Sequence, residues 1–354
     1  MMRMLCLLFA LCALSLPAGA LELPQELDGA VPQELLNAAQ GEDLVSAGAD
    51  YLWQRLGTAL RSALTASVRA AVSLMLLALL CALVESTAEG TDELAAHCAG
   101  YAGVLGAAAL TAGDMHALIG LGVETVDGLA VLAKLLLPAV ATAMAAGGCV
   151  GTASVWQVGA LMMSDAFLSL LRGVFVPVLY CMIGASAAGA LLSQSRLTVL
   201  ADGVRKLLSW ALSGILIAYT AFLSLSNLLA GTADRTALKV GKSVVSGAVP
   251  IVGGILSDAA EAVLAGAGAL RGTLGTIGVF AVLALCLAPF VRLGLQYLLY
   301  RAAAFFCGVT GSETLRGFLS QLSSAFSLML AMTAGGAFIL LAALMISLLM
   351  AVTV

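Results

Sequence analysis

Nearly uncharged apolar runs, each about as long as a bilayer is thick, recur from residue 66 to residue 352, and they settle the fold class before any motif is considered. Inside hydrocarbon there is no water to bond a backbone amide or carbonyl, so a spanning segment must satisfy these groups itself, as a helix, or in a closed barrel. Hydrophobic residues make up 62% of the 354 positions and charged residues 10%, outside the range of soluble globular chains. Alanine, leucine and glycine dominate while strand-favouring residues are scattered, which selects helices over a barrel. The fold class is therefore all-α: a polytopic helical integral membrane protein with about eight transmembrane helices, seven to nine by span length. The expected spans are residues 66–84, 95–112, 126–146, 154–171, 174–192, 208–230, 275–299 with a bend at Pro289, and 329–352.

Ahead of these runs, residues 1–20 carry Arg3, an apolar core and an Ala18-Gly19-Ala20 ending, the pattern of a signal peptide. Residues 21–64 form a short acidic extracytoplasmic segment, with seven acids against Arg55 and Arg61 for a charge of -5. Leu52, Leu56, Leu60 and Leu64 recur every fourth residue, so this segment is expected to end in an amphipathic helix that lies on the membrane or docks a partner. Residues 65–354 make up the multi-pass membrane domain. Within it, Arg196, Arg205 and Lys206 are expected in a loop on the cytoplasmic side by the positive-inside rule.

One stretch, residues 239–275, is too apolar for a surface loop and too interrupted for an ordinary span. Pro250 removes a backbone donor, and Gly253 with Gly254 permits angles that other residues resist, so a helix should break there. Asp258 is placed to cap a second segment, with Glu261 three residues on completing a capping box, and Arg271 with Gly272 to close it. Broken backbone at membrane depth is tolerated only where protein or a water-filled cavity satisfies the freed groups. The stretch is expected to be re-entrant or discontinuous, and sheltered.

Charges inside apolar runs are costly, about 2.5–3.5 kcal/mol each at the bilayer centre on insertion scales, and they mark polar interiors. Lys134, Asp165, Arg172, Asp258, Glu261, Arg292 and Arg301 stand in such places. Asp165, Asp258 and Glu261 are candidates to face a polar path or a subunit interface, with Lys134, Arg172 and Arg271 as counter-charges. Asp127-x6-Lys134-x3-Pro138 is echoed by Asp165-x6-Arg172-x4-Pro177, each setting acid and base two turns apart on one helical face.

The run of Lys239, Lys242, Pro250, Val252, Gly253, Gly254, Asp258, Ala259, Val263, Arg271 and Gly275, followed by an apolar segment to Pro289, resembles the stage III sporulation protein AE family. Where the family usually has lysine, Arg271 keeps the charge. The resemblance implies a membrane component of the channel that joins mother cell and engulfed forespore, needed for forespore development. Pro250, Gly253, Gly254, Asp258 and Ala259 then stand as motif residues. It also implies partners encoded with it, an ATPase and ring-forming subunits; membrane lipid and other copies of the chain are further partners expected of such a membrane protein. Two other functions fit the residues: a secondary transporter of small solutes unrelated to sporulation, and a purely structural membrane anchor for ring proteins.

Catalysis finds no foothold. The chain has no G-x-x-x-x-G-K-[ST] loop, no G-x-S-x-G elbow and no H-E-x-x-H pair, so neither enzyme activity nor a cofactor is expected. Its eight cysteines stand singly, without the C-x-x-C spacing of a zinc site, and His97 and His116 are the two histidines. A net charge of -4 offers no basic face for nucleic acid.

Overall fold

The computed structural model describes residues 44–88, 93–146, 150–191, 195–248 and 253–352, with side chains described for most of them, residues 85–99 and 226–271 being the main exceptions. All of it is helical apart from one tight turn. The order is α1 (Leu44–Ala88), α2 (Glu93–Ala146), α3 (Val150–Leu170), a π-helical turn (Leu171–Phe175), α4 (Val176–Leu191), α5 (Ser195–Ala248), α6 (Gly253–Thr310) and α7 (Glu313–Val352). Among the described residues six helical segments are long and apolar enough to cross a membrane: 45–84, 100–146, 153–190, 199–225, 272–310 and 313–347.

Among the described residues, two pairs of the expected spans are each joined in one continuous rod. Expected spans 95–112 and 126–146 belong to the single 54-residue helix α2, because Gly113, Asp114 and Gly120 between them are absorbed as helical residues. Spans 154–171 and 174–192 join through the π turn. A 54-residue helix is about 81 Å long, far more than the ~30 Å hydrocarbon layer, so α2 reaches well beyond one crossing.

The bundle is built around α6. Its residues 272–282 are buried on every side, and it packs most extensively on α7, then on α1 and α2. An all-round apolar helix has no solvent or lipid face to offer and belongs in the middle. Close approach is secured by small residues: a Cβ added at Gly278 would lie 3.0 Å from Leu344 and 3.1 Å from Leu136. The Tyr300 and Phe326 rings stack at 5.2 Å and tie α6 to α7. The Ser67 hydroxyl donates to Gln296 Oε1 at 3.4 Å in the buried contact between α1 and α6.

Helix α1 makes its close contacts through small residues. Its buried face is a row of mostly small residues, Ala59, Ala63, Ser67, Leu74, Ala78 and Cys81, and not the leucine stripe. Small side chains let backbones approach, which rewards van der Waals packing where the hydrophobic effect between helices is weak. Leu60 and Leu64 are exposed, in line with Val68, Val72 and Leu76 further along, so the stripe opens the outward apolar flank of a helix that runs through residue 64 without a break.

The interrupted stretch is also refined. The described part of α5 runs to Ala248 and that of α6 from Gly253; residues 249–252, Pro250 among them, lie outside the described residues, and with them the expected break. Asp258 is no N-cap, because α6 has already started at the glycine pair. Nor do Arg271 and Gly272 end a segment; α6 continues through them to Thr310, and Gly272 is buried. Pro138 and Pro289 both sit inside continuous helices. The expected cytoplasmic loop around Arg196, Arg205 and Lys206 is the first turns of α5, where Asp202 accepts from the Gln321 amide of α7 at 3.1 Å.

Candidate functional site

Helix α2 and the α3–α4 rod run antiparallel, and the charges on them meet in pairs. Lys134 Nζ lies 3.3 Å from Asp165, and Arg172 lies 3.0 Å from Asp127 and donates to its carboxylate. A step of seven residues forward on α2 is matched by a step of seven back on its neighbour, so the two ion pairs are rungs about 10 Å apart along one seam. Further along, Tyr180 and His116 approach to 3.5 Å, and Glu124 is exposed one turn before Asp127.

The crossed pairing explains the echo seen in the sequence. In each segment an acid precedes a base by two turns; with the helices antiparallel, each acid meets the base of the other segment. The echo differs by one residue, between Arg172 and Pro177, and that residue falls in the π turn, where the Val176 amide donates to the Leu171 carbonyl five residues back. A π turn holds one extra residue without ending the helix, a device concentrated at functional sites. The extra residue lies beyond Arg172 and leaves the seven-residue step between the rungs unchanged.

Exposure is the informative property of this seam. The side chains of Lys134 and Asp165 are 65% and 57% exposed, and those of Arg172 and Asp127 65% and 41%. They lie on the outside of the bundle, within the two apolar segments 100–146 and 153–190, and are flanked by exposed Val131, Val158, Met162 and Val174. Ion pairs in that position do not belong against acyl chains, where each charge is expensive. The buried faces of the same helices are conventional, with Leu129, Leu136, Leu137, Trp156, Phe167 and Leu171 in the core.

Of the residues singled out by sequence, Lys134, Asp165 and Arg172 are brought together here. Asp127 joins them as the fourth charge; it stood at the edge of an apolar run, and the signal that marks it is the repeated acid-to-base spacing. Gly253, Gly254, Asp258, Ala259 and Glu261 form the first turns of α6, and Arg271 follows within it; of these, the side chains lie outside the described residues, as does Pro250 altogether. Arg292 and Arg301 are exposed on the outer side of α6. Among the described residues no three His, Cys, Asp or Glu side chains are grouped as a metal site would require.

The sequence profile of stage III sporulation protein AE (spore_III_AE) matches residues 32–352, most of the chain. The stage III sporulation protein AE of Bacillus subtilis (strain 168) is 22% identical over 196 residues, which is 55% of this chain and 49% of that relative. The aligned part thus spans about half the relative's length. No solved structure matches.

Proposed function

This chain belongs to the stage III sporulation protein AE family, a family of sporulation proteins, and from that premise we propose that it is the permease-like membrane component of a channel between mother cell and forespore, needed for forespore development after engulfment. Multi-pass insertion in the mother-cell membrane around the forespore goes with this reading, as does assembly with other stage III sporulation proteins, an ATPase and ring-forming subunits among them. The chain itself carries out no chemistry; energy comes from a partner.

The observation that carries the reading is the laddered seam. Four charges on the outer side of two apolar helices supply the polar surface that a conduit needs at that depth.

The test is spore formation in a sporulating host whose own copy is replaced. Arg172→Gln and the paired D127N/R172Q are both expected to lower the yield of heat-resistant spores with the protein still in the membrane. If pairwise neutralisation restores normal yield after R172Q alone reduces it, the charges serve only each other, and the conduit reading fails.

A further inference from the structure

We propose that the seam between α2 and α3–α4 is covered by a second copy of this chain, seam against seam. At one level the seam presents Lys134 beside Asp165, and at the next Asp127 beside Arg172. Copies inserted with the same topology are related by a twofold axis along the membrane normal, and such a rotation exchanges the two sides of the seam. Lys134 then faces the Asp165 of the other copy, and Asp165 its Lys134. At the second level Asp127 faces Arg172 in both directions. Each rung becomes a square of alternating charges, so the surface is complementary to itself, as a twofold contact between identical subunits requires.

The exposures fit this occupant. More than half of each Lys134, Asp165 and Arg172 side chain is uncovered by its own chain, so their remaining hydrogen-bonding capacity is open to a partner. Val131, Met162 and Val174 beside the rungs are exposed as well and supply an apolar border. Such an arrangement, charged at the centre and apolar around it, removes from lipid the residues that cost most there. The pairing stands on charge geometry and holds whether or not solute passes along the seam.

Two differently tagged full-length copies, co-expressed and solubilised gently, read the contact through co-purification. Wild type is expected to retain its tagged partner. K134D sets two acids side by side at one level and D165K two bases, so each variant alone should retain about tenfold less of its own kind, the scale on which a charge left facing its like weakens an interface. K134D mixed with D165K should recover the wild-type level, because acids on one copy then face bases on the other. A monomeric wild type, undiminished self-pairing of either variant, or a mixture no better than the variants alone overturns the proposal. Should the reversed variants fail to accumulate, K134Q and D165N replace them, and unchanged self-pairing of both is equally decisive against it.

Discussion

The two ends of the polarity scale in this molecule lie a helix apart. Residues 272–282 of α6 are buried on all sides and uncharged, while the seam between α2 and α3–α4 bears four charges within apolar segments and leaves them largely uncovered. The first is what a bilayer protein needs to hold together: small and branched side chains at close range, with backbone bonds satisfied inside each helix. The second contributes little to that. Its charged side chains are largely uncovered by the chain's own packing, so they do little to hold its helices together.

A charge placed in the first region should do the most damage. Ile277→Lys puts an ammonium at a fully buried position in the apolar core, and the chain is expected to be lost from the membrane fraction; normal accumulation on immunoblot would contradict the central place given to α6. Next comes Phe326→Ala, which deletes the ring stacked on Tyr300 and should cost about 3–5 kcal/mol, seen as a lowered unfolding temperature in detergent. Gly278→Leu overfills the contact with Leu136 and Leu344 and should cost about 1–3 kcal/mol by the same measurement; a neutral result would mean that the helices are not so closely apposed. The smallest effect is expected at the seam. K134M/D165M should shift stability by less than about 1 kcal/mol while spore yield falls, and a large loss of stability instead would make the rung a structural tie.

Much of this was legible in sequence. Apolar run length pointed to an all-helical membrane protein, as the described residues are. Lys134, Asp165 and Arg172 stood out because a charge inside an apolar run has few innocent explanations. Three things resisted. Gly113, Asp114 and Gly120 look like a loop, yet α2 passes through them, since local breakers of this kind are tolerated where the helix on either side is strongly favoured. The leucines from 52 to 64 stand out in sequence, but not the small residues such as Ala59, Ala63 and Ala78 that form the buried face of α1, because membrane helices gain from closeness more than from apolar area. Finally, the pairing of Arg172 with Asp127 depends on two segments running antiparallel, which acid-to-base spacing announces only once the helices are set side by side.

The claim on which the account turns is that the seam is shielded from lipid although it lies on the outside of one chain. With native Cys181 replaced, a fluorophore attached at Val131→Cys, beside the rungs, can be compared with one at Val72→Cys, on the open flank of α1, in vesicles whose acyl chains carry bromine quenchers. The account predicts strong quenching at residue 72 and little at residue 131. Equal quenching at both positions would show acyl chains against the ion pairs and contradict it.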